Sequence, residues 1–151
     1  MAGSVERSFF VRWGDVDFNG HMRNTAYLDV SGDARMLCFE SGGFSMREFE
    51  RLRLGPVIVR DEVEYFRELK LLEPFSVALL LAGASDDGSR FRLRNEFFRE
   101  DGQPAARVTS TGGWMDHQAR RWTAPPEALR ILVAGLPRSE DFEVLASRIG
   151  R

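Results

Sequence analysis

Apolar and polar residues alternate from Val5 to Trp13, with Arg7, Phe9, Val11 and Trp13 on one side and Ser8, Phe10 and Arg12 on the other. That period of two predicts a first strand. Gly14 to Arg23 breaks the pattern with two glycines, two aspartates and an asparagine, the composition of a loop. From Asn24 the period changes. Tyr27, Val30, Ala34, Leu37 and Cys38 form a helical stripe, and Leu28, Met36 and Phe39 add apolar surface beside it. The spacing predicts a helix over Asn24 to Glu40, buried on more than one side, with Asn24 as N-cap and Ser41-Gly42-Gly43 as its stop.

A polar connection containing Met46 to Arg53 follows, and then four strand-like segments. Pro56 to Arg67 is rich in Val, Ile, Tyr and Phe. Phe75 to Ala84 is almost wholly apolar, as a strand covered on both faces would be. Arg90 to Arg94 reads Arg-Phe-Arg-Leu-Arg, the cleanest alternation in the chain, and that strand continues to Arg99. Ala105 to His117 is the last. Asp87-Gly88 and Asp101-Gly102 mark tight turns, so the three segments from Phe75 onward read as a meander. In the tail, Pro125-Pro126 opens a short helix through Ala134, and Phe142 to Ile149 reads as another short helix.

The order is strand, long helix, then four strands. One long apolar helix and about five mostly antiparallel strands have an economical solution, an α+β domain in which the sheet curls around the helix. Gly112-Gly113, beside Ser110 and Thr111, would let backbone approach closely where the helix crosses the sheet. At 151 residues the expectation is a single domain over 1–151 with a short helical tail.

Composition narrows the function. An apolar fraction of 43% with twelve phenylalanines supports a packed core, and a net charge of −2 argues against nucleic acid as a partner. Cys38 is the single cysteine, which leaves no disulfide framework and no cysteine metal cluster. Met1 to Ser8 shows no basic segment leading into an apolar one, and no apolar run is long enough for a membrane span. The expected location is a reducing cytoplasm.

Candidate chemistry concentrates in the loop before the helix, Trp13-Gly14-Asp15-Val16-Asp17-Phe18-Asn19-Gly20-His21-Met22-Arg23-Asn24. Three readings compete. Asp15, Asp17, Asn19 and Gly20 match positions one, three, five and six of a calcium-binding EF-hand loop, but Ala26 stands where that loop needs a bidentate glutamate. Asp and Asn also cap turns and helix starts, which suits Asp15 and Asn24. The third reading is catalysis. A carboxylate beside a helix N-terminus lies near unpaired N–H groups and the positive end of the helix dipole, where a developing oxyanion is also stabilised. A thioester suits such a site. Its leaving thiolate, with a pKa of about 8.5 if it behaves like a cysteine, needs little protonation, so a carboxylate that attacks or activates water suffices.

Asp-x-Asp-x-x-Gly-His-x-x-Asn-x-x-Tyr, running from Asp15 to Tyr27 at a strand-to-helix junction, resembles the 4-hydroxybenzoyl-CoA thioesterase branch of the hotdog superfamily. Its Gly-His-x-x-Asn portion is also similar to the motif of acyl-carrier-protein thioesterases. The resemblance extends to Val63-Glu64-Tyr65-Phe66-Arg67, to Phe97 through Gly102 and to Trp122 through Leu129. It implies a hotdog fold and hydrolysis of an acyl-CoA or acyl-carrier-protein thioester without metal or other cofactor. Asp17 would attack the thioester or activate water. N–H groups near Arg23 and Asn24 would polarise the carbonyl, His21 would orient water, substrate or carboxylate, and Tyr27 would pack the first helical turn beside the substrate. The resemblance further implies a homodimer or homotetramer with its site between subunits.

Other residues carry blander readings. Asp33 pairs with Arg35, Glu40 lies on the helix, His117 sits on the surface, and Cys38 is a core thiol. Arg90, Arg92 and Arg94 form a solvated or interface face with CoA phosphates as the alternative. Two other functions remain open on the same loop: a hydratase or dehydratase acting on acyl thioesters, and a non-catalytic acyl-thioester binding module.

Overall fold

The first alternating run becomes strand β1 (Arg7–Phe10), paired antiparallel with β3 (Pro74–Ser85) from Arg7↔Val77 to Phe10↔Pro74. The structure is a computed structural model describing residues 6–149; Val5, where the alternation begins, lies outside them. The strand stops short of Trp13 because Trp13–Asp15 winds into a 3-10 turn, which leaves Trp13 exposed. The remaining strands are β2 (Leu54–Tyr65), β4 (Arg90–Arg99), β5 (Pro104–Asp116), β6 (Arg121–Thr123) and β7 (Arg138–Leu145). Helices are α1 (Asn24–Ser41), α2 (Met46–Leu52) and α3 (Glu127–Ala134).

The meander expected from Phe75 onward is present. β3, β4 and β5 pair antiparallel in sequence order, and β2 closes the far side of β5. Among the described residues the sheet has seven strands, with order β1-β3-β4-β5-β2, β6 on β5 and β7 on β3. Gly112 answers a contact within the sheet and not one with the helix: a Cβ there would lie 2.2 Å from the Val57 carbonyl oxygen. β2 bulges at that point, where its register slips between Ile58 and Arg60.

α1 buries Ala26, Tyr27, Val30, Ser31, Ala34, Cys38 and Phe39. Leu37, assigned to the buried stripe by spacing, is 43% exposed, and Phe39 takes its place. The core forms two clusters. One holds Tyr27, Val30, Ala34, Phe75, Phe97 and Val108, toward the start of α1. The other holds Cys38, Phe39, Phe49, Phe91, Leu93 and Trp114, toward its end.

Two elements expected from the sequence are corrected. The connection at Met46 to Arg53 is a helix. Ser45 Oγ accepts from Glu48 N at 3.2 Å as an N-cap, and the single inward aromatic, Phe49, packs 5.9 Å from Phe39 and 6.0 Å from Trp114. Phe142 to Ile149 does not form a helix. Its first part lies in β7, which runs parallel to the second half of β3 from Leu81↔Arg138 to Ser85↔Leu145. Sheet pairing overrides local propensity because β1 covers only the first part of that edge, and arginines on β4 reach across. Arg94 holds Asp141 through both carboxylate oxygens, at 2.7 and 3.1 Å, and Arg92 pairs with Glu143. The arginine face is therefore neither solvated nor free; two of its three members clamp the last strand. Arg94 and the Ser139 hydroxyl hold the Asp141 carboxyl well below the usual carboxylate range.

Candidate active site

The loop from Val11 to Arg23 is a folded unit. Val16 and Met22 form an isolated antiparallel bridge, Asp17 N donates to His21 O at 2.8 Å, and Gly20 N to Asp17 O at 3.0 Å. Gly20 adopts φ +77°, a left-handed conformation that favours glycine, and so closes this small hairpin. The returning limb runs straight into α1.

The two aspartates play different parts. Asp15 is 2% exposed. Its Oδ2 accepts from Arg12 N and Nε and its Oδ1 from Arg12 Nη2, each at 3.0 Å. Those hydrogen bonds from Arg12 hold its carboxyl below the usual range, and its carbonyl accepts from Arg23 N at 2.8 Å. Asp15 ties the two ends of the loop together. Asp17 is exposed. Its Oδ1 accepts from Asn19 N at 2.9 Å and His21 N at 3.2 Å, while Oδ2 takes no hydrogen bond among the described residues. One oxygen is anchored and the other is presented to solvent.

Asn24 is the first residue of α1 and not its cap. The N-cap is Arg23, whose side chain makes no capping bond, so the first-turn N–H groups have no side-chain acceptor. The Arg23 guanidinium is drawn into the loop, donating to Gly14 O at 2.8 Å and lying 3.5 Å from Asp29. The Asn24 carbonyl accepts from the Tyr65 hydroxyl at 3.2 Å. Tyr27 is buried at 3% exposure, edge-on to Tyr65 and Phe97 with ring centroids 5.3 and 5.2 Å away. Burial pushes its phenol up to about 12, so it meets the site as an apolar wall.

His21 bridges to Lys70, and its Nε2 lies 3.3 Å from Glu68 Oε2. The sequence did not mark Glu68 or Tyr65 as site residues. Both come from the end of β2 and the turn after it, and no local pattern links them to the loop. The same turn is stitched to the loop by Met22 N to Leu69 O at 2.7 Å and Leu71 N to Gly20 O at 3.1 Å. Trp13, Phe18 and Leu72 stand exposed around this end. Elsewhere, Asp33 and His117 are exposed and Cys38 is buried, with burial raising its thiol pKa. Arg35 turns inward, away from Asp33. No three described His, Cys, Asp or Glu side chains are grouped to hold a metal ion.

An Asp-bearing hairpin that feeds an uncapped helix inside a curled sheet is a recognisable arrangement, and residues 11–132 match the family described as the Thioesterase-like superfamily. The chain belongs to that superfamily. Its relatives include an L-carnitine dehydrogenase/betainyl-CoA thioesterase of Agrobacterium fabrum, 30% identical over 131 residues. That match covers 87% of this chain but 26% of the relative, so the chain spans about a quarter of that protein's length. Among solved structures, a Staphylococcus aureus protein in complex with CoA superposes with a TM-score of 0.82 at 23% identity, over 98% of this chain and 92% of that one. A 1,4-dihydroxy-2-naphthoyl-CoA thioesterase from Synechocystis gives 0.78 at 18% identity, over 87% and 96%. The fold of this superfamily member is thus the hotdog expected from its loop motif. None of its helices among the described residues is long and apolar enough to cross a membrane.

Proposed function

We propose that this chain hydrolyses an acyl-CoA thioester, with Asp17 as the carboxylate that carries the reaction. The observation behind this reading is the asymmetry of Asp17. Two loop N–H groups fix Oδ1 while Oδ2 stays free, on a hairpin that leads into the open first turn of α1. Oδ2 delivers oxygen to the acyl carbon, directly or through a water that it deprotonates. On the water route the C–O bond to the water oxygen forms, the C–S bond breaks and the departing sulfur takes the proton from Oδ2. On direct attack the sulfur leaves as thiolate, and water then cleaves the mixed anhydride with Asp17, restoring the carboxylate and giving its proton to the thiolate. First-turn N–H groups near Asn24 bear the charge that develops on the carbonyl oxygen, as preorganised donors do. His21, held against Glu68, orients the water or the carboxylate. Arg23 acts by shaping the loop from which those donors project, and Tyr27 by packing beneath it. No step calls for a metal or other cofactor.

CoA as the carrier is supported by the CoA complex of the Staphylococcus aureus neighbour and by the Agrobacterium relative's name. Acyl carrier protein is the second carrier to be assayed. The chain acts as a single domain, in a reducing cytoplasm suited to its lone buried thiol. It pairs with a second copy along the long outer edge of β2, which brings each loop to a subunit boundary.

The test is thiol release from a panel of acyl-CoAs, including betainyl-CoA, by wild type, Asp17→Asn and Asp15→Asn. Asp17→Asn keeps the Oδ1 hydrogen bonds but loses the anion, and kcat/KM is expected to fall ~10²–10⁴-fold with Tm unchanged. Near wild-type turnover by that variant removes Asp17 from the chemistry. Tight binding without any thiol release by the wild type makes the chain a binding module.

A further inference from the structure

A cavity of about 210 Å³ lies between α3 and the inner face of the sheet, at the end where β3 turns into β4. Pro74, at the other end of β3, pairs with Phe10 just before the candidate loop, whereas Ala84 and Ser85 adjoin the cavity. At ~3.3 Å per residue, about 30 Å of strand separates the two. The floor is Leu81, Phe91 and Trp114, one from each of three neighbouring strands, and α3 adds Val133. Phe142 and Val144 of β7 form a side wall, and Val144, 66% exposed, marks the mouth. An apolar cavity of about 150 Å³ binds benzene, so this one has room for a ring and a short arm.

The rim is cationic. Arg90, Arg130 and Arg138 line the cavity against one carboxylate, that of the exposed Asp86. Arg130 is occupied, because its Nε donates to Glu127 Oε2 at 2.9 Å. A Cβ at Gly88 would lie 3.0 Å from Arg130 Cγ, so the β3–β4 turn packs directly against that stem. Arg90 and Arg138 are free. Neither side chain has a carboxylate partner or donates a hydrogen bond among the described residues, and Arg90 Nε is buried without an acceptor. The Arg138 guanidinium lies over the Phe142 ring, 4.1 Å from its centroid. Stacking fixes the plane of the fork and leaves its edge N–H groups open, the geometry that holds a carboxylate through two parallel bonds. More positive charge stands behind Arg90: burial first, and then the like charge of Arg90, lowers the pKa of Arg148.

We infer that this cavity is a ligand site separate from the loop, built for a small apolar carboxylate. The apolar body lies on Phe91, Trp114 and Val133, and the carboxylate accepts from Arg138 at the mouth. Arg90 adds a field that favours an anion over a neutral ligand of the same shape. Asp86 opposes it with a single exposed charge that solvent screens. The site does not depend on the thioesterase reading.

The experiment titrates the isotope-labelled full chain with phenylacetate, phenylethanol and acetate, followed by amide NMR shifts. Phenylacetate should saturate with a Kd of about 0.1–1 mM, ordinary for about ten non-hydrogen atoms. It should move the amides of Phe91, Trp114, Val133 and Phe142 and leave those of Asp17 to Asn24 in place. The alcohol should bind about 3–10-fold more weakly, and acetate should not saturate. Arg138→Met should abolish the preference for acid over alcohol. Val144→Glu, which sets a like charge at the mouth from an exposed position, should weaken phenylacetate about 3–10-fold with Tm unchanged. No shift at the cavity residues, shifts confined to the loop, or equal wild-type affinity for acid and alcohol each overturn the inference. A preference that survives Arg138→Met overturns it too. So does movement of the cavity amides on dilution without ligand, which gives the groove to a second copy of the chain. If Arg138→Met fails to fold, wild type and Val144→Glu decide. Thiol release from acyl-CoA by the same preparation tests the other reading separately.

Discussion

Removing the Asp15 carboxylate tests how the loop before α1 is held. The Asp15→Ala change keeps the backbone bond from Arg23 N but deletes all three side-chain bonds to Arg12. At ~0.5–1.5 kcal/mol net per hydrogen bond, three give about 2–4 kcal/mol, and the lower half is favoured because the exposed Arg12 side chain regains water. For a domain of this size each kcal/mol moves Tm by about 2–4 °C, so a fall of about 4–12 °C is expected by differential scanning fluorimetry. Asp15→Asn tests the charge. Because the folded carboxyl titrates below its unfolded value, the stabilisation is complete above the ordinary carboxylate pKa of about 4. It is lost as pH falls through that value toward the folded one. The Tm gap between wild type and Asp15→Asn should therefore be widest near neutrality and shrink by pH 3. A gap that does not change with pH, or an Asp15→Ala protein that melts with the wild type, would refute Asp15 as the tie of the loop.

Tyr27→Phe should change both kcat/KM and Tm little, because the buried ring packs while its hydroxyl makes no hydrogen bond among the described residues; a large selective rise in KM would give the phenol a substrate contact. Phe49→Ala should cost about 3–5 kcal/mol by emptying the aromatic cluster around Trp114, read by urea denaturation; a loss under about 1 kcal/mol would mean that α2 contributes little. Asp141→Asn should leave the sheet intact but speed amide hydrogen exchange across Arg138–Leu145, and unchanged protection there would deny the arginine clamp. Light scattering at assay concentration should report at least a dimer, and an active monomer would end the assignment of β2 as a pairing edge.

Elements with their own periodicity were legible in the sequence. α1 was placed to within a residue at its C-terminal end, and the β3–β5 meander followed from two Asp-Gly turns and alternating runs. The elements that depend on distant partners were not. α2 has one buried aromatic on a polar helix, so it carries almost no apolar stripe, although Ser45 and Glu48 signalled its start. β7 is a strand because β3 offers an edge and Arg92 and Arg94 offer charge, none of which shows in Phe142 to Ile149. The site divides similarly. The loop residues announced themselves by crowding, whereas Glu68 and Tyr65 reach the site only through the path of the β2–β3 connection.

The placement of β7 makes the two borders of the sheet unequal. On one border β1 and β7 lie end to end along β3, the first antiparallel to it and the second parallel. An incoming strand there would have to switch its hydrogen-bonding polarity midway, and it would meet β1 over only four residues. The other border is a single strand of twelve residues with one bulge. Strand addition is thus favoured along β2, and two copies joined there would leave exposed only the broken border formed by β1 and the eight residues of β7. A chain with long continuous edges on both sides would risk fibres; the change of polarity between β1 and β7 makes one border of this sheet a poor template.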